Sequence, residues 1–180
     1  MKFNRVVIGS VAFAALLTLA GSAFAQVVQS IQTPVVPPPG SSIVLQNGSN
    51  FRSGDGRFQL RIEQNGVVRL VQGSQVLWTA PNSSPRLQPT GIPNVSFVTQ
   101  GCVLQFQSDG NLVLLGAQGV LGAAVNGCQL VGYDPVRMGV MWSSKTYGNT
   151  GATLDVQNDG NVVIKNTSNR VVWTTNTCCR

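Results

Sequence analysis

The sequence predicts an all-β fold built from three variants of one strand-rich unit. From Ser42 onward, short alternating apolar stretches are separated by Asn-Gly, Asp-Gly and Gly-Asn turn signals, and no stretch keeps a helical period. Charged residues make up only 10% of the chain, so we expect a surface formed largely by amides and hydroxyls.

An internal repeat divides this region into units. The sequence Leu-Gln-Phe-Gln-Ser-Asp-Gly-Asn-Leu-Val at 104–113 recurs at 154–163 as Leu-Asp-Val-Gln-Asn-Asp-Gly-Asn-Val-Val. A Val-x-Trp ending follows each copy, and a third such ending follows a related stretch at 58–68. The tryptophans of these endings are Trp78, Trp142 and Trp173. Three-fold packing of the units would bring them together in a common core.

The middle unit contains an insertion. Asn161 and Trp173 are 12 positions apart, whereas Asn111 and Trp142 are 31 apart, so 19 additional residues lie within 116–139. Long loops are often functional, but a tolerated insertion would have the same appearance. The sequence favours neither interpretation.

The four cysteines predict disulfide chemistry in an exported chain. They are Cys102, Cys128, Cys178 and Cys179, and they allow three pairings. We favour Cys102–Cys128, because adjacent cysteines pair poorly with each other; this bond would tie the insertion to its own unit. A metal site is disfavoured because both C-x₂-C spacing and histidine are absent.

The N-terminus predicts a secretory signal at 1–25. Basic residues precede an apolar run at 6–20, and an Ala-Phe-Ala sequence predicts cleavage after Ala25. The run of about 15 residues is shorter than the roughly 20 that span a bilayer, which disfavours a membrane anchor. The mature chain is therefore expected to be secreted or periplasmic, with no stable membrane insertion.

Two further regions follow the signal. Residues 26–41 contain four prolines and predict an extended, proline-rich spacer, and residues 42–180 form the predicted domain. Removing the signal lowers the basic count from 12 to 10 against six acids, for a net charge of about +4. These basic residues are scattered along the chain, which disfavours a nucleic-acid partner.

Enzymatic chemistry has little support in this sequence. Because the chain has no histidine, Ser-His-Asp and Cys-His arrangements are excluded. A glycosidase needs two carboxylates on either side of one bond, but the repeat places Asp109 and Asp159 in separate, equivalent sites. Glycine-rich phosphate loops are also missing, so neither an enzyme nor a cofactor is predicted.

The repeated motif itself, Gln-x-Asp-x-Asn-x-Val, predicts a sugar site. Period-two spacing on a strand would place its side chains on one face, with amides and a carboxylate for hydroxyls and a valine for the C–H face of a ring. Alternatively, Asp-Gly-Asn forms a hairpin turn with a satisfied side-chain network. The motif residues are Gln107, Asp109, Asn111 and Val113 in one copy, and Gln157, Asp159, Asn161 and Val163 in the other.

These residues resemble the bulb-type mannose-binding lectin family, whose repeat is Gln-x-Asp-x-Asn-x-Val-x-Tyr followed by a Val-Trp strand. The resemblance extends over about 42–177. It implies a β-prism II fold, with three four-stranded antiparallel sheets around a pseudo-three-fold axis and the tryptophans inside. It also implies that the Gln, Asp and Asn side chains bond to mannose hydroxyls, including the axial O2, that the valine contacts the ring, and that no metal takes part.

The chain departs from the family pattern at the terminal tyrosine, which is replaced by Leu115 in one copy and by Lys165 in the other. Lysine can donate to a sugar hydroxyl but cannot accept, so we expect Lys165 to contact sugar and both sites to bind weakly. The first unit offers Ile62, Gln64, Gly66 and Val68 in an ungapped alignment, or Glu63 and Asn65 when it is shifted by one residue. We predict that this unit binds no sugar.

The sequence therefore predicts a secreted lectin whose partners are mannose-containing glycans, bound at two sites. The alternative is a lectin-like antibacterial or structural envelope protein with a degenerate sugar site, acting through protein contacts. A homodimer is compatible with both, either through exchange of C-terminal strands, as in the family, or through an intermolecular disulfide of the C-terminal cysteines.

Overall fold

The computed structural model describes residues 29–124 and 126–178. The predicted signal and its cleavage site after Ala25 lie outside these residues. The described strands are, in chain order, β1 Ser30–Gln32, β2 Ser42–Gln46, β3 Asn50–Arg52, β4 Phe58–Ile62, β5 Val68–Gln72, β6 Gln75–Thr79, β7 Arg86–Pro89, β8 Ser96–Gln107, β9 Leu112–Val120, β10 Gly139–Ser143, β11 Thr153–Val156, β12 Val162–Lys165 and β13 Val171–Thr174. A short helix α1 at Gly127–Leu130 and a 3₁₀ turn at Pro135–Arg137 lie between β9 and β10.

The strands form three sheets, which confirms the predicted β-prism class. Sheet I has the order β1-β3-β4-β5-β6, sheet II has the order β10-β9-β8-β2 with β7 paired to β8, and sheet III has the order β11-β12-β13. All pairs within these sheets are antiparallel except β1 with β3. The sheets do not each have the four strands that the resemblance implies. The differences arise from the N-terminal segment and from the connections of sheet II.

The N-terminal segment predicted as a spacer is paired with the domain from Ser30 onward. Thr33 is buried and joins two sheets, because its hydroxyl contacts the carbonyl of Arg52 at 3.0 Å and accepts from the N–H of Val156 at 2.9 Å. Val35 then forms a single bridge with Leu154, in the place of a fourth strand of sheet III. The neighbouring prolines lack N–H donors, so this pairing cannot extend into a ladder.

The strands of sheet II continue beyond the common unit as a three-stranded extension, which we call the β-arm. It consists of β7, residues 96–101 of β8 and residues 116–120 of β9, joined in antiparallel register. The predicted insertion within 116–139 supplies one of these strands. The other two come from the connection after Trp78, whose extra length the sequence analysis did not identify.

The main core lies inside the three sheets. Its largest fully buried side chains include Leu45, Phe51, Leu60, Leu104, Phe106, Leu154 and Ile164. At its centre, the rings of Trp78, Trp142 and Trp173 meet in mutual edge-to-face contacts, with centroids 5.7, 5.7 and 5.8 Å apart. Each tryptophan comes from the last strand of its own unit, so the pseudo-three-fold axis passes through this triad.

Each sheet contributes one hairpin that contacts a neighbouring sheet. Asn47, which follows β2 of sheet II, donates to the carbonyl of Gln64 at 3.2 Å. The N–H of Asn149 donates to the carbonyl of Asp109 at 2.8 Å, and the N–H of Asp55 donates to the side chain of Asn158 at 3.0 Å. The contacts run cyclically around the axis, and they hold the hairpins that carry the repeated motif.

Candidate functional site

The first copy of the motif spans a β-hairpin. Gln107 ends β8, Asp109 lies in the turn and Val113 lies on β9. The N–H of Gln107 donates to the carbonyl of Asn111 at 2.9 Å, and the N–H of Gly110 donates to the carbonyl of Gln107 at 3.0 Å. The expectation of one continuous strand is therefore wrong, because Asp-Gly-Asn closes a turn that requires a glycine with positive φ.

The second copy has the same backbone geometry in sheet III. The N–H of Gln157 donates to the carbonyl of Asn161 at 2.8 Å, and the N–H of Gly160 donates to the carbonyl of Gln157 at 3.1 Å. Val163 follows on β12. The two motifs thus form equivalent turns on different sheets and do not share one site.

The aspartates stabilise these turns with one oxygen. Oδ1 of Asp109 accepts from the N–H of Asn111 at 3.0 Å, and Oδ1 of Asp159 accepts from the N–H of Asn161 at 2.9 Å. The second oxygen of each carboxylate makes no hydrogen bond within the described part of the chain. Each aspartate therefore retains acceptor capacity toward a ligand.

The asparagines use their carbonyl oxygens internally. Oδ1 of Asn161 accepts from the hydroxyls of Thr174 and Thr175, each at 2.9 Å, and from the N–H of Thr177 at 3.3 Å. In sheet II, Oδ1 of Asn111 accepts in the same way from Ser144 and from the N–H of Thr146, at 3.1 and 3.2 Å. The carboxamide is therefore fixed in orientation, and its Nδ2 group is left as a donor.

The glutamines have neighbours that the sequence analysis missed. Nε2 of Gln107 donates to Gln105 at 3.4 Å, and Nε2 of Gln157 donates to a carboxylate oxygen of Asp155 at 3.5 Å. Gln105 and Asp155 are the cross-strand partners of Val113 and Val163, respectively. Period-two spacing counted backward from each glutamine points to both residues.

The valines form an apolar floor between these polar groups. Val113 and Val163 are 3% and 4% exposed. The Gln and Asn side chains of the same hairpin are half-buried, so each motif brings donors, acceptors and a small apolar residue to one hairpin. This mixture suits a polar ligand with an apolar face.

The sites of sheets II and III differ at the end far from the hairpin. Leu115 and the motif valine Val113 are both buried in a second apolar cluster on the outer face of sheet II, and Val131, Tyr133 and Met138 of the insertion pack against it. Burial there raises the pKa of the Tyr133 hydroxyl. The disulfide favoured from the sequence, Cys102–Cys128, is present and anchors α1 to this face. Lys165, at the position equivalent to Leu115, stays half-buried beside an open groove.

The hairpin of sheet I has the same turn with different side chains. The N–H of Glu63 donates to the carbonyl of Val67 at 2.8 Å, and the N–H of Val67 donates to Asn65 at 3.1 Å. Glu63 and Asn65 therefore occupy the positions of the motif Gln and Asp, and the ungapped alignment with Ile62, Gln64, Gly66 and Val68 is wrong. The motif Asn and Val are replaced by Val67 and Arg69.

An ion-pair cluster covers this face of sheet I. Glu63 accepts from Arg61 at 2.8 Å and from Arg69 at 2.6 Å. The arginine at the valine position removes the apolar floor, and Glu63 uses both of its oxygens in these bonds. The groups that characterise the other two sites are thus absent or engaged here.

Two further properties of the described residues concern metal binding and membrane spanning. Within 29–124 and 126–178, no cluster of three or more His, Cys, Asp or Glu side chains is placed to hold a metal ion. In the same residues, no helix is long and apolar enough to cross a membrane.

Comparison with known proteins gives similarities to lectins of solved structure. No protein-family model matches the chain, and no curated protein matches its sequence. A lectin from Marasmius oreades is 26% identical, with a TM-score of 0.48 over 79% of this chain and 95% of that one. A monomeric monocot mannose-binding lectin from Gastrodia elata is 21% identical, with a TM-score of 0.47 over 78% and 94%. A Polygonatum cyrtonema lectin, crystallised with a monomannoside, is 20% identical, with a TM-score of 0.27 over 78% and 71%.

Proposed function

We propose that the chain is a carbohydrate-binding lectin for mannose-type glycans. The observation that carries this proposal is the pair of equivalent hairpins in sheets II and III. Each has a carboxylate with an unused oxygen, an oriented amide donor and a nearly buried valine.

The side chains divide the recognition of one pyranose ring. Oδ2 of the aspartate accepts from a hydroxyl, Nδ2 of the asparagine donates to a neighbouring oxygen, and the glutamine contributes its remaining amide groups. The valine contacts the C–H face of the ring. Mannose is proposed because the family that the repeat resembles uses these same side chains on mannose hydroxyls, including the axial O2.

The three sheets differ in their expected affinity. Sheet III binds most strongly, because Lys165 adds a donor at an open edge. Sheet II binds more weakly, because Leu115 adds none and the insertion covers that edge. Sheet I binds no sugar, because Glu63 is engaged by two arginines. Two sites on one body, or more in a homodimer, raise the avidity toward dense glycans.

Export of the chain is part of this proposal. The disulfide Cys102–Cys128 supports it, because such bonds persist in oxidising compartments. A secreted or periplasmic location also places the protein where surface glycans are accessible. The location can be tested by fractionation of cells that express the full chain.

Glycan-array and mannose-titration measurements test the sugar sites. The variant Asp109→Ala/Asp159→Ala should lose binding to mannosylated glycans, while each single variant keeps one site. The matched control is Asn65→Ala, which removes the same turn hydrogen bond from the hairpin of sheet I. A folded wild-type protein that binds no mannosylated glycan would overturn the proposal.

A second function is favoured by two exposed apolar residues, one near the end of the insertion and one at the start of β10. Val136 and Val140 are 92% and 68% exposed, although both are apolar. A lectin-like antibacterial or envelope protein would use such residues for protein contacts. If the chain acts in this way, Val136→Ser/Val140→Ser would abolish its antibacterial or envelope activity and leave mannose binding unchanged.

A further inference from the structure

Three arginines that are separated in the sequence lie on the outer face of sheet I. They are Arg52 on β3, Arg61 on β4 and Arg69 on β5. The residue before each of them in the chain belongs to the main core, so the arginine side chains alternate to the opposite face of the sheet. The fold thus gathers on one surface charges that are scattered along the chain.

The strand register brings these three side chains close together. Arg61 and Arg69 are direct cross-strand partners, so their Cβ atoms are about 5 Å apart. Arg52 pairs with Gln59 and is therefore a diagonal neighbour of Arg61, at about 7–8 Å, within reach of long side chains. We call the surface formed by Arg52, Arg61 and Arg69 the arginine face.

Positive charge exceeds negative charge on the arginine face. Glu63 accepts from Arg61 and Arg69, and three arginines against one glutamate leave a net charge of +2. From position 30 to 79, which includes all the strands of sheet I, the other charged residues are Asp55 and Arg57. These two bond to each other at 2.6 Å, so they do not neutralise the arginine face.

Most donors of the arginine face are unused. Arg61 and Arg69 each donate to Glu63 through one terminal nitrogen. Nε of Arg61 is buried and has no hydrogen-bond partner in the described part of the chain, so Glu63 alone does not satisfy this guanidinium. The exposed side chain of Arg52 makes no hydrogen bond among the same residues. The other two arginines are 36% and 34% exposed, so a ligand can reach all three.

Neutral polar groups flank the arginines. Asn50 lies opposite Arg61 in the strand register, and its carbonyl oxygen accepts from the hydroxyl of Ser30 at 2.8 Å. This bond fixes the orientation of the carboxamide and leaves its Nδ2 group as a donor. Thr79 lies opposite Arg69 at the other side and is exposed. The arginine face is therefore bordered by further donors to an anion.

These properties select for a doubly charged oxyanion. The planar fork of arginine donors matches the oxygen atoms of phosphate and carboxylate groups. A phosphate monoester carries about −1.5 to −2 charges at neutral pH, which balances the arginine face, whereas a carboxylate or a phosphate diester carries a single charge. The aromatic residues of the sheet I strands, Phe51, Phe58 and Trp78, all belong to the main core, so this face lacks the stacking platforms that single-stranded nucleic acids use.

We propose that the arginine face binds a phosphate monoester group. Arg61 and Arg69 donate to its oxygens, Arg52 supplies the remaining charge, and Asn50 donates at the margin. The proposal goes beyond sugar binding and does not depend on it, because it concerns the sheet that lacks the repeated motif. Sheet I thus has a binding role of its own.

The test is an NMR titration of the full mature chain that follows the arginine Nε–H groups. The ligands are inorganic phosphate, methyl phosphate, dimethyl phosphate and acetate, at about pH 8, where the monoester is doubly charged, and at an ionic strength held constant with sodium chloride. We expect the first two to bind saturably and about tenfold more tightly than the last two, because of their additional charge. The resonances of Arg52, Arg61 and Arg69 should shift, whereas that of Arg137 in the insertion should not.

Three variants test the assignment of the arginines. Arg69→Gln should weaken methyl phosphate binding about tenfold, which corresponds to one charge-assisted hydrogen bond. Arg52→Gln should weaken it as well and leave the fold intact, because the Arg52 side chain bonds to no described residue. Glu63→Gln should strengthen it, because it removes the carboxylate that competes for Arg61 and Arg69. The matched control is Arg137→Gln, which removes the same charge from an exposed position of the insertion and should leave the Kd unchanged.

The outcomes separate this proposal from the sugar sites. Shifts that do not saturate, or that are equal for phosphate and acetate, would overturn the arginine face and leave mannose binding untouched. Dimethyl phosphate binding as tightly as methyl phosphate would indicate a diester, as in nucleic acids or phospholipids, and would overturn the monoester. Binding of inorganic phosphate without methyl phosphate would also overturn it, because only the free anion would fit. Titration of the same samples with methyl α-mannoside tests the proposed function independently.

Discussion

The hydroxyl of Thr175 donates to Oδ1 of Asn161 at 2.9 Å, and this bond joins the end of the last strand to the motif. Ser144 and Asn111 form the equivalent bond in sheet II at 3.1 Å. In sheet I the corresponding positions hold Ala80 and Val67, both buried and apolar. The hydroxyl and the amide are thus present together or absent together, which indicates that they act as one unit.

Thr175→Val should weaken both the fold and the sugar site. Valine has nearly the shape of threonine, but it leaves the N–H of Val162, which donates to Thr175 at 2.9 Å, without its partner. We expect the free energy of unfolding to fall by about 1–3 kcal/mol. Mannose affinity at sheet III should fall as well, because Asn161 loses one of the donors that orient it.

Thr175→Ser is the conservative control for that variant, since it keeps the hydroxyl. In urea unfolding and mannose titration, Thr175→Ser should have nearly the stability and the mannose affinity of the wild type. If Thr175→Val bound mannose as tightly as Thr175→Ser, the hydroxyl would have no part in positioning Asn161.

The repeat made much of the fold predictable from the sequence. Three Val-x-Trp endings at related positions gave the three units, and the tryptophan triad follows because each unit buries the same face. The repeated motif was found in the same way, since Gln107 and Gln157 occur at matching points of two copies. These features depend on local pattern, which sequence periodicity records directly.

Other features depend on contacts between distant residues, and periodicity does not record these. Thr33 lies in a proline-rich stretch that resembles a linker, yet it bonds to sheets I and III at once. The groove of sheet III is lined by β11, by β12 with the turn after it, and by Pro34 of the N-terminal segment. The hairpin form of the motif, in contrast, could be predicted as the alternative to a continuous strand, because Asp-Gly-Asn is a turn sequence as well as part of a strand pattern.

Gly160→Ala should destabilise the protein more than Gly148→Ala. Both glycines have nearly the same positive φ, +85° and +86°, so both variants incur the same backbone cost of about 1–2 kcal/mol. A Cβ at Gly160 would also meet the ring of Phe58 at 2.8 Å, whereas Gly148 faces open space. We expect an additional loss of about 1–3 kcal/mol for Gly160→Ala in denaturant unfolding. Equal losses in the two variants would show that the hairpin of sheet III is not pressed against Phe58.

The tryptophan triad should behave as a coupled unit. Trp142→Phe and Trp173→Phe each weaken two of the three edge-to-face contacts. They share the contact between Trp142 and Trp173, so the double variant loses that contact once rather than twice. A double-mutant cycle on the free energy of unfolding should therefore give a coupling of about 0.5–1.5 kcal/mol. Leu77→Ala with Trp173→Phe is a comparison cycle for a neighbour outside the triad. Strictly additive losses for the two tryptophans would contradict a common core of three rings.

Asp55 should titrate at a lower pH than an ordinary aspartate. The hydroxyl of Ser53 donates to its carboxylate at 2.7 Å, and the N–H and guanidinium of Arg57 donate at 3.0 and 2.6 Å. These bonds lower the pKa of Asp55 from 3.8 to about 2, and the bond from Ser53 makes the largest contribution to this shift. Because the pKa is lower in the folded state, the stabilisation is complete above about pH 4 and is lost as the pH falls toward 2.

The consequence reaches the proposed sugar site, because Asp55 and Arg57 contact Asn158 in the hairpin of sheet III. NMR titration of the Asp55 carboxyl carbon should give a pKa near 2 in the wild type. Ser53→Ala should raise that pKa, because the Ser53 hydrogen bond is the largest cause of the shift, and Arg57→Gln should also raise it, because it removes the guanidinium with its hydrogen bond and its charge. The amide resonance of Asn158 should shift over the same pH range, since its side chain accepts from the N–H of Asp55. An Asp55 pKa near 3.8, or an Asn158 resonance that does not shift as Asp55 titrates, would mean that the turn at Asp55 does not hold the hairpin of sheet III.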